Sequence, residues 1–258
     1  MNVFDHLLLF SILIASAVSY ADVLPAPPLE EYSPAEQHDP TALVGANILA
    51  ISASRLPTEP LSMTGTLTMR RAYGVEIKKF KYAVAIHWGA QKPRAVYEIF
   101  DINDTLLETV VAVRTPEGAL TLTRFLGAEK TPADPPAINE TVRGTDITWL
   151  DITLDFVWWR NPVITGEGKV KGRLCDILEV EPAEPLERCK KVRLWIDRDQ
   201  KLVMQAIQID ENDRDVRRMW IRAIQKINER WVLKDIEVET LGKGHRTRLN
   251  VDDVKTLD

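Results

Sequence analysis

The sequence predicts a mainly β protein: an incomplete antiparallel barrel, or half-barrel, with a few helices covering or plugging a hydrophobic cavity. Three observations carry that expectation. From Met63 onward, apolar residues recur at every second position in short runs separated by polar turns, the pattern of strands joined as hairpins. One stretch breaks the alternation: "GTDITWLDITLDFVWWRNP", Gly144 to Pro162, gathers Trp149, Phe156, Trp158 and Trp159 among Asp146, Asp151 and Asp155. The bulk composition is that of a globular chain, with 258 residues, 45% hydrophobic and 28% charged, and no composition break follows Pro40.

The beginning of the chain reads differently from the rest. "LLLFSILIASAV", Leu7 to Val18, is apolar, uncharged and too short to span a bilayer as a mature helix. It runs into Ser19-Tyr20-Ala21, with small residues at the two positions a signal peptidase reads, so residues 1–21 are expected to be a cleaved secretory signal. Only Asp5 and His6 flank the run on its N-terminal side, with no Lys or Arg, which leaves a misassigned start or a retained anchor as alternatives. No cysteine follows the run, which argues against a lipid-anchored lipoprotein. Asp22 to Pro40 then holds five of the fifteen prolines, five acids and no Lys or Arg. That composition predicts an extended tether over residues 22–40. Setting aside Asp5 and the tether's five acids brings the formal charge from −5 to +1 for residues 41–258. A nearly neutral body lacks the basic face that a nucleic-acid partner requires.

The body, residues 41–258, opens with a helix. Asp39 suits its cap, Pro40 its first position, Val44, Ile48 and Ile51 one face, and Pro57 its end. The period then becomes two. "MTGTLTM" places Met63, Gly65, Leu67 and Met69 opposite three threonines, and "YAVAIHW" places Tyr82, Val84, Ile86 and Trp88 opposite Ala83, Ala85 and His87. After the aromatic stretch come "CDILEVEP", "KVRLWID", "LVMQAIQID", "RRMWIRAIQKI", "RWVLKDIEVE" and "HRTRLNVDDV", with Thr247, Leu249 and Val251 on one face of the last. The polar turns between runs include Asp210-Glu211-Asn212-Asp213 and Gly242-Lys243-Gly244. Regular spacing of this kind predicts an antiparallel sheet that curls.

The aromatic stretch reads as a helix from about Asp146, its cap, to Trp159, ended before Pro162. At about 100° per residue, Thr148, Asp151 and Asp155 fall in a stripe roughly 60° wide, with apolar residues on both flanks. A helix so narrowly polar must be covered on nearly all sides. It is expected to plug the curved sheet, its acidic stripe facing water.

The chemistry of an enzyme is not legible. Of four histidines only His87 and His245 lie in the body, and they make no metal cluster. No nucleophile elbow, phosphate-binding glycine loop or dinucleotide fingerprint appears. The acidic turns Asp101-Ile102-Asn103-Asp104 and Asp210–Asp213 lack the glycine and terminal Glu of a calcium loop and read as hairpin turns. No cofactor is called for. The two cysteines, Cys175 and Cys189, flank a segment containing Pro182 and Pro185. In an exported chain they are expected to form a disulfide across a hairpin, with two buried free thiols as the alternative.

"RGTDITWLDITLDFVWW", then "GRLCDILEVEP", "CKKVRLWID" and "RWVLKDIEVETLGKGHRTRLNVDDVK", resemble the outer-membrane lipoprotein-sorting family, the LolA-like proteins. The likeness covers roughly Arg143 to Lys255; the N-terminal half is similar in layout, a helix followed by alternating strands. It implies an incomplete antiparallel barrel closed by helices around a hydrophobic cavity. It also implies a periplasmic carrier of lipoprotein or lipid cargo that meets membranes only peripherally, with an inner-membrane transporter as donor and an outer-membrane acceptor. Relatives of this fold that act as envelope sensors supply the alternative, a regulatory module that recognises lipid or lipoprotein and signals to a protein partner. The residues expected to line the acyl cavity are Leu67, Met69, Val84, Ile86, Trp88, Trp149, Leu150, Leu154, Phe156, Trp158 and Trp159. The chain departs from the carrier in its acidic tether and second cysteine. The carrier's functional arginine in the first strands has three candidate counterparts, Arg70, Arg71 and Arg94.

Overall fold

A computed structural model describes residues 40–71, 74–90, 92–115, 118–227 and 230–257. The expected signal and the tether up to residue 39 lie outside the described residues. Thirteen strands form one antiparallel sheet. Their ranges are β1 (Leu61–Arg71), β2 (Glu76–His87), β3 (Arg94–Phe100), β4 (Leu106–Arg114), β5 (Leu120–Leu126) and β6 (Thr131–Ala133) in the first half. In the second are β7 (Arg160–Val170), β8 (Arg173–Glu181), β9 (Lys191–Asp197), β10 (Val203–Ile209), β11 (Asp215–Ile227), β12 (Arg230–Thr240) and β13 (His245–Thr256).

The order is β6-β5-β4-β3-β2-β1-β13-β12-β11-β10-β9-β8-β7, so the sheet is open and not closed into a barrel. Each half is a meander of hairpins, and the first and last strands join the halves at the centre. β6 and β7 are the two edges. The chain between them, residues 134–159, must therefore cross from one edge to the other, and it crosses over the concave face.

The period-two expectation holds in β2, β3, β9 and β10, whereas in β1 Thr68 is buried along with Leu67 and Met69. Tyr82, Val84 and Ile86 are buried while Ala83, Ala85 and His87 between them are only partly so. Thr247 and Val251 are buried and Leu249 packs on the core. The principal core draws on both meanders: Leu67, Val84, Tyr97 and Val110 from one, Leu178, Val192, Leu194 and Met219 from the other. One glycine has a specific reason. Gly65 sits at a register shift between β1 and β13, and a Cβ there would come 1.9 Å from the Asn250 carbonyl oxygen and 2.8 Å from the Tyr82 ring.

Helix α1 (Pro40–Ser54) begins where the sequence places it. Its buried face is Gly45, Ile48, Leu49 and Ser52, while Val44, expected inward, is 53% exposed. The helix turns that way because it lies against β7, where Gly45 approaches the Pro162 carbonyl so closely that a Cβ would sit 2.6 Å from its oxygen. No helix among the described residues is long and apolar enough to cross a membrane.

The expected disulfide is corrected: Cys175 and Cys189 are free and buried. Cys175 pairs with Asp197, at the far end of the β8–β9 hairpin from its turn, whereas Val180 pairs with Val192 near the turn and Cys189 lies within the turn itself. At about 3.3 Å per residue the two thiols are more than about 15 Å apart, beyond the reach of an S–S bond. Pro182 lies midway between the cysteines in sequence, but the register centres the hairpin near Leu186, eleven residues from Cys175 and three from Cys189.

Candidate functional site

The crossover is built from short pieces. A 3-10 turn (Val142–Gly144) leads to α2 (Trp149–Thr153), and a second 3-10 turn (Asp155–Trp158) leads directly into β7. The continuous helix expected from Asp146 to Trp159 is thus corrected to a broken one. Thr148, not Asp146, is the cap: its hydroxyl accepts the Asp151 N–H while the Asp151 carboxylate accepts the Thr148 N–H, a reciprocal capping box. The break falls at Leu154, which takes a left-handed conformation at φ 51°, ψ 33°. A β-carbon in that region costs about 1 kcal/mol. Asp155 fixes the second turn by accepting the Trp159 indole N–H at 2.9 Å.

Both faces of the crossover are apolar because both are covered. Trp149, Leu150, Phe156 and Trp159 are buried in the principal core, with Leu154 and Trp158 packed against it. Trp149 meets Tyr97 of β3 edge-on, with ring centroids 5.9 Å apart, and Trp158 meets Trp88 at 6.3 Å. Burial around Tyr97 pushes its phenol up from the ordinary value, and its hydroxyl donates to the Ile152 carbonyl at 3.3 Å. Of the sheet residues expected at the cavity, Leu67, Val84 and Ile86 belong to this core and Trp88 packs on it. Met69 is buried near the end of β1 and joins no core cluster. One cavity beneath the crossover, lined by Leu150, Phe156, Val192, Ala206, Arg217 and Met219 among others, has a volume of about 10 Å³. That is room for about one water molecule. A groove of about 400 Å³ on Thr64, Gly65, Thr66, Lys81, Phe100 and Asp252 includes none of the expected cavity residues.

The aspartates overturn the expectation of a hydrated stripe. Each accepts from a side chain reaching inward from the sheet. Asp155 pairs with Arg114 of β4 at 2.8 Å, with Arg114 buried at 5% exposure and Asp155 part-buried at 16%. The Arg114 guanidinium carbon also lies 3.7 Å from the centre of the Trp158 ring, a cation–π stack. Burial lowers the Arg114 pKa from its ordinary value against the pull of Asp155, yet an arginine so placed keeps its charge. Asp151 pairs with Arg217 of β11, which also donates to the Asp146 carbonyl. Asp146, buried, accepts from the Thr247 hydroxyl and contacts His245 Nδ1, each at about 2.9 Å, and accepts the Thr240 N–H at 3.3 Å. A helical wheel supplies only water as partner for a polar stripe. Arg114 and Arg217 lie far away in sequence, so no local signal could have found them.

The earlier part of the crossover is held to both meanders. Arg124 of β5 pairs with Glu140, and Asn139 donates to the Glu187 carbonyl in the β8–β9 connection at 2.8 Å. Lys78 of β2 donates to the Gly144 carbonyl at 3.0 Å. Arg70, Arg71 and Arg94, the arginines singled out in the first strands, are exposed, and Arg70 faces Glu76 at 4.0 Å. No group of three or more metal-ligating side chains occurs among the described residues.

Solved structures share this architecture. A DUF1329 family protein from Desulfovibrio piger matches with TM-score 0.70 at 18% identity, covering 84% of this chain and 93% of its own. A domain named for outer membrane lipoprotein sorting, from Vibrio parahaemolyticus, matches with TM-score 0.70 at 13% identity, over 83% of this chain and 93% of its own. A LolA superfamily protein from Nitrosomonas europaea matches with TM-score 0.61 at 15% identity, over 84% and 94%. A family described only as uncharacterized proteins matches residues 136–258, the half that begins with the crossover. No curated protein sequence matches. The chain therefore has a LolA-like fold, and the resemblance read from its sequence holds at that level.

Proposed function

We propose that the protein is a periplasmic carrier that takes up the acyl chains of lipoproteins or other lipids beneath the crossover and moves them toward the outer membrane. The observation that carries this reading is the closed apolar interior under a cover held by ion pairs. Packing alone would seal a core; buried aspartates and arginines add little net stability over apolar residues of the same shape. What such pairs contribute is a defined closed position that can be left as a unit. The LolA-like fold supports the same reading.

In this mechanism the acyl seat is the concave face at Leu67, Met69, Val84, Ile86 and Trp88. Its cover carries Trp149, Leu150, Leu154, Phe156, Trp158 and Trp159. Each methylene of cargo transferred from water contributes about 0.8 kcal/mol. An acyl chain of a dozen or more carbons therefore outweighs the parting of Arg114 from Asp155 and the loss of the stack on Trp158. The cover swings from its firmly bonded start at Asp146 and Thr148, and Leu154, already in a strained conformation, is the joint.

The test is transfer. Delipidated protein is incubated with vesicles carrying a labelled lipoprotein, then separated and offered acceptor vesicles. A carrier extracts the label and hands it on. Failure to extract any acylated cargo, with folded protein confirmed, overturns the reading.

A further inference from the structure

We propose that one rim of the sheet, formed by the β1–β2 and β12–β13 turns, is a docking surface for an anionic bilayer. The pairing places these two turns side by side: Arg71, the last residue of β1, is opposite His245, the first of β13. A backbone bond spans each turn, from Arg71 N–H to the Val75 carbonyl at 2.9 Å and from Lys243 N–H to the Thr240 carbonyl at 3.2 Å. At and beside these turns the described residues include exposed large apolar side chains: Val75 is 60% exposed, Ile77 39% and Leu241 41%. The neighbouring β3–β4 turn, on the same rim, adds Ile102 at 59%.

Exposed apolar residues scattered singly need no explanation. These cluster, and cations surround them. Arg71, Lys79 and Lys243 are exposed and have no ion-pair partner among the described residues. Elsewhere most basic residues of the sheet face acids, as in Arg222 and Arg246 with Glu237 or Arg248 with Asp235. Unpaired cations beside apolar tips match a surface with anionic headgroups outside and hydrocarbon beneath. An acidic protein surface would satisfy the cations but leave Val75 and Leu241 without a partner. This surface is separate from the acyl seat, and the inference stands whether or not the chain carries lipid.

The measurement is co-sedimentation of the exported protein, as isolated from cells, with vesicles of phosphatidylglycerol or of phosphatidylcholine alone. Binding to the anionic vesicles is expected to be at least tenfold tighter and to weaken with salt. Val75→Asp with Leu241→Asp, and separately Arg71→Glu with Lys79→Glu, should each reduce it at least tenfold with the melting temperature unchanged. Leu174→Asp, at an exposed apolar residue on the opposite rim, should leave it intact. Uptake of a detergent-dispersed lipopeptide should be unaffected in all three, which separates docking from carriage. Equal binding to both vesicle types, or rim variants that bind as the parent does, overturns the proposal.

Discussion

The two ends of the crossover are held in different ways. At its start, Asp146 accepts from Thr247 and Thr240 and contacts His245, Arg217 bonds both Asp146 and Asp151, and the capping box closes the first turn. At its end, Asp155 has one ion pair among the described residues, to Arg114, which also stacks on Trp158, and the turn is held locally by the Trp159 indole bond to Asp155 and two backbone bonds. Between the two ends lies Leu154 in a left-handed conformation. A uniformly structural plug would have no reason for that gradient. In the proposed carrier the start is the post and the end is the latch.

Substitution at each end should affect stability and uptake differently. The largest effect is expected at the core side of the post: Trp149→Ala, at a fully buried indole, should cost about 3–5 kcal/mol in denaturant unfolding. Arg217→Met follows. It removes the charge partner of Asp151, a pair at 11% and 12% exposure, together with the donor to the Asp146 carbonyl, and should cost about 3 kcal/mol. The latch should behave otherwise. Arg114→Met should cost about 1–3 kcal/mol, because Asp155 keeps the Trp159 indole bond and lies closer to water. The same variant should accelerate uptake of a fluorescent acyl probe severalfold in stopped-flow mixing. If Arg217→Met and Arg114→Met lose equal stability and neither alters uptake, the two ends are equivalent and the distinction fails.

The smallest expected effect concerns the thiols. Burial pushes Cys189 up to about 12 and raises Cys175 as well. The thiolate is the reactive form, so both should resist alkylation at pH 8 in the native protein. Both should react, two per chain, in guanidinium without reductant. An absence of thiols in the unfolded protein would restore the disulfide.

What could be read from the sequence divides along the same line as the comparison. Strands were legible because alternation is local: Tyr82, Val84 and Ile86 announce a buried face without reference to anything else. The crossover was legible as a plug, since apolar flanks on both sides of a short element require cover. Its internal form was not. Asp146 and Thr148 are both acceptable caps, and which one serves depends on Thr247, His245 and Arg217, all at least sixty residues away in sequence. Leu154 carries no sign of a left-handed conformation; the strain is imposed by pinning Asp151 to β11 and Asp155 to β4. The hydrated stripe failed for the same reason, because the partners of buried charges come from tertiary structure.

The central claim, that the crossover is a cover parted from the sheet at its Asp155 end, is tested most directly by amide hydrogen exchange with and without a triacylated lipopeptide. The reporters are the Val157 N–H, bonded to the Leu154 carbonyl at 3.0 Å, and the Trp159 N–H, bonded to Phe156 at 3.3 Å. Those at the post are Trp149 and Leu150, bonded to Glu140 and Ile138. The account predicts that bound lipopeptide increases exchange over residues 155–159 while the post and the β8–β9 hairpin stay protected. Lipopeptide bound with residues 155–159 as protected as before would contradict it.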